Sequence, residues 1–269
     1  MNQADESAAF ARLIHALRPY RGDLVLLGGW AHRLSRLHPL AQPVDFPPLF
    51  TQDVDLAITK RVTLGEEDLR KLLLEAGFAE KFLGKDQPPV AHYQLGNEGA
   101  FYVEFVTPLI GRPGPVTSTV DGVTAQRLRY LDILLIAPWS IHVAEPQYPV
   151  GAQPIQTRIA NATSYIAQKF LVLGRRRPFD RAKDVLYIHD TLVTFGRSLE
   201  DLHRIWLESI SESLHVNAKR ALRKAVGQLS SPAFDAVQTA ARVANETGRP
   251  LAPEEIAEVC RVGLAAVVG

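Results

Sequence analysis

Three acidic residues stand within strand-like apolar stretches of the chain, where a carboxylate needs a cationic partner or a chemical role. Asp53 and Asp55 begin one apolar run, and Glu104 lies in the middle of another, residues 101–106. Because side chains repeat every two residues along a strand, Asp53 and Asp55 are expected on one face, with Val54 in the core. Carboxylates on neighbouring strands can hold a divalent metal against the phosphates of a nucleoside triphosphate. The spacing therefore predicts a metal–triphosphate site centred on this pair.

The expected metal is magnesium, which takes oxygen ligands and keeps positions for waters and substrate phosphates. Glu104 is predicted to be the third acid, either as a general base that takes a proton from an attacking hydroxyl or as a ligand of a second metal. Gly28 and Gly29 stand between an apolar strand and a helical pattern, where backbone N–H groups can approach phosphate closely. Each feature alone has a structural alternative, a solvated strand edge or a simple turn. Their order along the chain favours a functional site.

The elements that must position these residues fall into two parts. In the first, short apolar stretches predict strands at 23–27, 53–58, 78–83, 90–95 and 101–106, a turn at 97–99, and helices at 5–18, 30–37 and 66–76. From Ile155 onward, helical spacing predicts helices over 156–174, 179–195, 199–226, 231–246 and 253–267. We therefore expect an α/β (α+β) domain over residues 1–152, with a mixed sheet flanked by helices, and an all-helical domain over residues 153–269.

Composition narrows the classes of protein to which the chain can belong. A formal net charge of +1 over 269 residues means that the molecule as a whole is not a polyanion binder. The lone cysteine, Cys260, excludes an internal disulfide framework and a cysteine metal cluster. The polar, acidic N-terminus does not match a signal peptide, and the apolar runs are too short to span a bilayer. The expectation is a soluble, cytoplasmic protein with no membrane partner.

The order of these motifs resembles the nucleotidyltransferase superfamily typified by DNA polymerase β, and within it the bacterial AbiEii/MenT-like branch. The resemblance is carried by the apolar strand that ends in Gly28-Gly29, by the Thr-x-Asp-x-Asp motif at 51–55, and by Glu104 on a later strand. Gly29 replaces the commoner serine, a variant of this branch. The resemblance spans residues 20–195 and implies a nucleotidyltransferase fold, in which the three acids hold metal and perform catalysis while the two glycines bind nucleotide.

The resemblance continues into the helical part, where the branch carries a lysine on one helix and a basic residue with an aspartate on the next. Lys169 and Asp184 match these positions, which implies that both bind nucleotide. The residues alone leave other interpretations open, since Lys169 could pack its stem on the core with its head in water, and Asp184 could form an ordinary surface ion pair. Residues 165–225 carry twelve Lys/Arg and seven Asp/Glu, a balance of 12 − 7 = +5, which suits an RNA or nucleotide partner.

The resemblance implies a magnesium-dependent transfer of a nucleotidyl group from a nucleoside triphosphate to a hydroxyl of RNA, protein or a small molecule. Enzymes of this branch are often toxins that have a separate antitoxin partner. Two alternatives remain, a non-catalytic nucleotide-binding module of the same fold and an antibiotic-type adenylyltransferase. The dipeptide His189-Asp190 is typical of metal-dependent phosphohydrolases, but the other ligands of such a site have no match in the sequence, so core packing is the favoured interpretation.

Overall fold

The computed structural model describes residues 3–49, 51–58, 68–84, 88–96, 101–111 and 115–269. The chain divides into two compact units. The first comprises Met1–Leu37 and Phe50–Ala160, and the second comprises His38–Leu49 and Asn161–Gly269. The loop of residues 38–49 therefore belongs to the second unit, although it lies within the first unit's part of the sequence.

The first unit combines helices with strands. Its helices are α1 (Gln3–Ala16), α2 (Gly28–Ser35), α3 (Leu69–Glu75) and α4 (Leu131–Leu134). Its strands are β1 (Leu24–Leu26), β2 (Asp53–Ile58), β3 (Ala79–Leu83), β4 (Val90–Leu95), β5 (Phe101–Pro108), β6 (Thr117–Val120), β7 (Val123–Leu128), β8 (Trp139–Val143) and β9 (Ile155–Ile159).

Across the described ranges, these nine strands form one mixed sheet in the order β3-β4-β5-β2-β1-β9-β8, with β7 beside β5 and β6 beside β7. The pairs β1–β9, β2–β5 and β5–β7 are parallel, whereas the other pairs are antiparallel. β2 lies between β1 and β5 in the sheet, so both of its edges are paired. The mixed sheet flanked by helices confirms the predicted fold class.

An aromatic cluster fixes the first two helices on the sheet. The rings of Phe10 on α1 and Trp30 on α2 stack with centroids 4.2 Å apart, and Trp30 also meets the edge of Phe101 on β5 at 5.8 Å. All three side chains are at most 1% exposed. Aromatic pairs of this kind contribute about 0.5–1.5 kcal/mol beyond their buried area. Because Trp30 follows directly after Gly28 and Gly29, its burial also fixes the position of the two glycines at the end of β1.

The helix predicted over 156–174 is wrong at its start. Residues Ile155–Ile159 form β9, which pairs with β1 and β8, and α5 begins only at Ala162. The two isoleucines are buried while Gln156 between them is exposed, a strand pattern that is too short to separate from helical spacing. Asn161 then caps α5 by accepting a hydrogen bond from the Ser164 N–H at 2.8 Å. Residues 66 and 67 of the predicted helix 66–76, and the turn predicted at 97–99, lie outside the described residues.

The second unit is helical, as expected from the sequence. Its helices are α5 (Ala162–Leu173), α6 (Pro178–Thr194), α7 (Leu199–Ile205), α8 (Ser211–Ser213), α9 (Val216–Leu229), α10 (Asp235–Glu246) and α11 (Pro253–Val268). The single helix predicted over 199–226 is wrong, because a π-helical turn at Trp206–Ile210 and a break before Val216 divide this stretch. In the part of the chain that the structure describes, no helix is long and apolar enough to cross a membrane.

The loop of residues 38–49 is held in the second unit by backbone groups of α6 and of the turn that follows it. The backbone N–H of Gln42 donates to the carbonyl of Thr194 at 2.8 Å, and its side-chain amide donates to the carbonyl of Val193 at 2.7 Å. The Ser198 hydroxyl donates to the carbonyl of Leu40 at 3.0 Å. The two bonds from Gln42 use carbonyls of the last turn of α6, where no further helical turn supplies i+4 N–H donors.

Candidate active site

The two strands that carry the predicted acids are direct neighbours in the sheet. β2 and β5 run parallel, with Asp53 opposite Tyr102 and Asp55 opposite Glu104. Because paired residues of adjacent strands point to the same face, all four side chains share one face of the sheet. The structure thus brings Asp53, Asp55 and Glu104 together on adjacent strands, as the sequence predicted.

Burial alternates along both strands, which confirms the predicted orientation. On β2, Val54 is fully buried while Asp53 and Asp55 are half-buried. On β5, Val103 is fully buried while Glu104 is half-buried. The apolar side chains therefore enter the core beneath the sheet, and the carboxylates remain on the face that a ligand can reach.

Tyr102 reports the electrostatic environment of this face. Burial, followed by the charges of Asp53, Glu104 and Asp55, raises the pKa of the Tyr102 phenol to about 12. Each carboxylate opposes the formation of a nearby phenolate, so the phenol keeps its proton throughout the neutral range. The combined field of the three acids at this tyrosine is negative, a condition that favours a bound cation.

Glu104 has polar partners on two of the strands that pair with β5, namely β4 and β7. His92 on β4 lies opposite Glu104, and its Nε2 is 2.7 Å from Oε1 of the glutamate. The side-chain amide of Gln126 on β7 donates to Oε2 at 3.3 Å. The imidazole of His92 also stacks on the Tyr102 ring, with centroids 4.6 Å apart and planes 11° from parallel. These contacts fix the orientation of the Glu104 carboxylate.

The aspartates are positioned by their own local contacts. The Thr51 hydroxyl donates a hydrogen bond to Oδ1 of Asp53. Gly28, at the start of α2, has φ +59°, and a Cβ on this residue would collide with Oδ2 of Asp55. The Leu27 N–H donates to the backbone carbonyl of Asp55 at 2.9 Å. The start of α2 is therefore packed directly against the Asp55 carboxylate, which explains the need for glycine at position 28.

Lys169 and Asp184 meet in the second unit as a buried ion pair. Nζ of Lys169 lies 2.6 Å from Oδ1 of Asp184, and the two side chains are 8% and 4% exposed. Nε of Arg176 contacts Oδ2 of Asp184 at 3.2 Å. The ammonium also lies 5.3 Å and 5.0 Å from the ring centroids of Tyr165 and Tyr187. The interpretations of a lysine head in water and of a surface ion pair are both wrong, because the pair is enclosed.

The model of a protein family described as Nucleotidyltransferase matches residues 5–211, more than three quarters of the chain. The chain belongs to this nucleotidyltransferase family. The match includes all of the acids on β2 and β5 as well as Lys169 and Asp184. No curated protein matches the sequence.

Two solved structures are similar to this member of the family at low identity. An antigenic nucleotidyltransferase-like protein from Paracoccidioides brasiliensis is 14% identical, with a TM-score of 0.42 over 93% of this chain and 95% of that chain. The nucleotidyltransferase toxin MenT4 from Mycobacterium tuberculosis H37Rv is 15% identical, with a TM-score of 0.35 over 99% of this chain and 85% of that chain. Similarity at this level does not transfer an activity to the chain.

The donor set on β2 fits the kind of metal that nucleotidyltransferases use. Magnesium is commonly bound by one or two carboxylates together with substrate phosphates, so Asp53 and Asp55 are suitable protein ligands. Gln94, opposite Tyr102 on β4, adds a buried side-chain oxygen that accepts no hydrogen bond within the described residues. In the same described part of the chain, no group of three His, Cys, Asp or Glu side chains is arranged to hold a metal ion. The fit therefore depends on two carboxylates and on phosphate oxygens from the substrate.

Three polar residues of this face were missed in the sequence, namely His92, Gln94 and Gln126. The sequence does contain a signal for His92 and Gln94, namely the position of the predicted turn. A hairpin with its turn at 97–99 is centred on residue 98, which pairs position 92 with 104 and position 94 with 102. The structure has these same pairs. The sequence gives no such signal for Gln126, because β7 pairs with β5 in parallel and the register of a parallel pair is not set by the position of a hairpin turn.

Proposed function

We propose that the chain is a magnesium-dependent nucleotidyltransferase that transfers a nucleotidyl group from a nucleoside triphosphate to an acceptor hydroxyl. The observation that carries the proposal is the parallel register of β2 and β5, in which Asp55 lies opposite Glu104 and Asp53 lies two residues before Asp55 on the same face. Family membership supports nucleotidyl transfer in general. The register supplies the residues that would perform it.

Substrate binding in this proposal begins at the end of β1. Gly28 and Gly29 form the first residues of α2, where the backbone N–H groups have no partner within the helix. These groups, together with the positive end of the helix dipole, favour the triphosphate. Asp53 and Asp55 would hold magnesium, which when bound offsets the phosphate charge and orients the α-phosphate.

The transfer step requires a base, and Glu104 is the proposed one. The acceptor oxygen attacks the α-phosphorus, and a new P–O bond forms as the bond from this phosphorus to the bridging oxygen of the β-phosphate breaks. Glu104 takes the proton of the acceptor hydroxyl, and pyrophosphate leaves with the electron pair of the broken bond. The hydrogen bonds from His92 and Gln126 orient the Glu104 carboxylate, and each of its oxygens keeps a lone pair that can accept this proton.

A polyanionic acceptor such as RNA agrees with the charge of α9. This helix carries Lys219, Arg220, Arg223 and Lys224 and has no acidic residue. Arg220, Arg223 and Lys224 are exposed, at the spacing that places them on one side of the helix. Such a surface attracts phosphates through counterion release, so acceptor binding should weaken steeply with salt. A small-molecule acceptor would not need this surface.

The roles of Lys169 and Asp184 in nucleotide binding are part of the same proposal. The family match covers both residues, and their buried pairing with Arg176 and two tyrosines fixes their geometry. Lys169→Met should cost stability in either case, because the Asp184 carboxylate is left buried without its nearest cation. If Lys169 also binds nucleotide phosphates, the variant that remains folded should in addition have a lower triphosphate affinity, whereas a lysine that only neutralises Asp184 should leave that affinity unchanged.

Calorimetry with magnesium and each triphosphate tests the site. The double variant Asp53→Asn/Asp55→Asn should lose metal-dependent binding, whereas Asp132→Asn, the same change at an exposed residue of α4, should bind as the wild type does. Equal binding by all three proteins would refute the metal site. Transfer of a labelled nucleotide to total RNA or to lysate protein should fall on the order of 10²–10³-fold or more in the double variant. Intact binding without transfer to any acceptor would favour the non-catalytic module.

The resemblance to AbiEii/MenT-like enzymes adds the proposal that this transfer acts as a toxin and is neutralised by a separate antitoxin. Controlled expression in a bacterial host tests the idea. The wild type should slow growth, and Asp53→Asn should not, while Asp132→Asn should remain as toxic as the wild type. Normal growth with the wild type at equal protein levels would count against a toxin and leave the transfer reaction to be judged by the labelling assay.

A further inference from the structure

The second unit contains a cavity of about 410 Å³ that the nucleotidyl transfer does not use. Its walls come from the loop of residues 38–49, from α6, and from the connection of α10 to α11 together with the first turns of α11. We call it the helical-unit cavity and define it by Phe46, His189, Arg249, Glu255 and Val259. Val193 and Leu251 complete its apolar walls.

Arg249, which lines this cavity, is neutralised by an ion pair with Asp190. Arg249 places its two terminal nitrogens on the Asp190 carboxylate, with Nη2–Oδ1 at 2.6 Å and Nη1–Oδ2 at 2.7 Å. Asp190 is fully buried, and the guanidinium lies 3.7 Å from the ring centroid of Phe46. A fork of this kind satisfies the charges of both groups. Arg249 therefore serves as a wall of the cavity and offers little attraction to an anionic ligand.

His189 lines the cavity and has an unused acceptor. Its Nδ1 lies 2.9 Å from Oδ1 of Asp190 and 3.4 Å from Nη2 of Arg249. Because the shorter contact is to a carboxylate, which only accepts, we assign the proton of the neutral imidazole to Nδ1 and the lone pair to Nε2. Nε2 is buried and makes no hydrogen bond within the part of the chain that the structure describes. A buried nitrogen without a partner is costly, and the ring lines the cavity at only 3% exposure. A ligand that donates a hydrogen bond would remove this cost.

The remaining charges of the cavity are acidic. Asp45 and Glu255 also line it, and both are exposed at its edge. With Arg249 neutralised, the cavity offers a ligand the Nε2 lone pair and two carboxylates between apolar walls. An ammonium group matches this set, because it has three donors, one positive charge and no acceptor. We propose that the helical-unit cavity binds a small organic amine in its protonated form, with an apolar body against the walls.

Three benzyl compounds of nearly equal size test the charge requirement by calorimetry on the full chain. Benzylamine should bind saturably, benzyl alcohol should bind about tenfold more weakly, and benzoate should not bind. This ranking follows because the apolar body is constant and only the charge and donor number of the head group change. Equal binding of benzoate and benzylamine, or no saturable binding of benzylamine, would overturn the proposal. The readout is binding, so it is independent of nucleotidyl transfer.

Variants of α11 identify the site. Glu255→Gln should weaken benzylamine binding about three- to tenfold, in line with the loss of one partly solvated charge. Glu254→Gln is the matched control, since the neighbouring glutamate is exposed, has the same relation to the helix dipole and does not line the cavity. Val259→Trp should block binding by filling the cavity. Equal effects of Glu254→Gln and Glu255→Gln, or full binding in both Glu255→Gln and Val259→Trp, would refute this location.

Discussion

The acidic residues of the two units differ in their burial and in the charge of their partners. In the helical unit, Asp184 and Asp190 are almost fully buried, and each contacts an arginine as well as a lysine or histidine. In the sheet unit, Asp53 and Glu104 are half-buried, and the partners described for them are a threonine hydroxyl, an imidazole and an amide. The first arrangement neutralises charge within the protein, whereas the second preserves charge on a face that a ligand can reach.

An acidic residue in an apolar stretch can therefore have one of two roles, as part of a buried ion pair or as part of a group that attracts a cation. A buried carboxylate that has a fixed cation stabilises the fold only as part of its pair, and loss of one partner leaves the other uncompensated. Carboxylates grouped without such neutralisation repel one another and gain from an added cation. Burial, followed by the charges of these acids, raises the pKa of Tyr102 to about 12. Stability measurements should therefore separate the two groups of acids.

The largest expected effect on stability is that of Asp190→Asn. The substitution leaves Arg249, whose side chain is 14% exposed, without its counter-charge, and we expect a loss of about 3–5 kcal/mol in the free energy of unfolding. Asp53→Asn, on the sheet, should cost nothing or stabilise slightly because it relieves repulsion. Urea unfolding followed by circular dichroism at 222 nm compares them, with Asp132→Asn, at an exposed residue of α4, as the surface control. If Asp53→Asn were as destabilising as Asp190→Asn, the contrast between the two units would be wrong.

The next largest effect concerns the hydrogen bond from His92 to Glu104. His92→Leu removes the donor and should lower kcat about 10–100-fold, the usual consequence of losing a partner that orients a reacting or ligating carboxylate. His92→Gln keeps a side-chain N–H donor and should restore most of the activity. We expect KM for the triphosphate to stay nearly constant in both. His142→Gln, at an exposed position of β8, is the control. A role of His92 in packing alone would make His92→Gln as inactive as His92→Leu.

Much of the sheet face was predictable because its signals are local. Alternation within residues 53–58 and 101–106 predicts which side chains leave the core, and burial on β2 and β5 confirms it. The pairing of β4 with β5 follows from the position of one turn, so the contact between His92 and Glu104 was also within reach of the sequence. Alternation does not show which strands pair when they are far apart in the chain, as β2 and β5 are.

The remaining features depend on contacts between distant residues. β9 is a strand because β1 and β8 supply its backbone partners, and its five residues carry too little pattern to indicate this. Asp190 and Arg249 are 59 residues apart, and nothing in the local sequence of either predicts their pairing. The neutralisation of Asp190, and with it the character of the helical-unit cavity, is thus a property of the folded chain.

A smaller effect on stability is expected for Gly28→Ala, which tests how closely α2 is packed on Asp55. Alanine at φ +59° costs about 1–2 kcal/mol, and its methyl group would displace the Asp55 carboxylate. We therefore expect a modest loss of stability together with a clear loss of magnesium-dependent triphosphate binding. Gly22→Ala is the control, because a Cβ at Gly22 would meet no atom within 4 Å. Unchanged triphosphate affinity in Gly28→Ala would show that the Asp55 carboxylate does not need this contact.

The smallest effect should come from Arg176→Ala, which refines the description of the helical unit. Asp184 contacts both Lys169 and Arg176, but the arginine side chain is 42% exposed while the lysine is 8% exposed. Solvent screens the exposed contact, so its loss should cost at most about 1 kcal/mol in the free energy of unfolding. Lys169→Met should cost more, because the enclosed ammonium is the main counter-charge of Asp184. If Arg176→Ala were the more damaging change in urea unfolding, the main counter-charge of Asp184 would be the exposed arginine rather than the enclosed lysine.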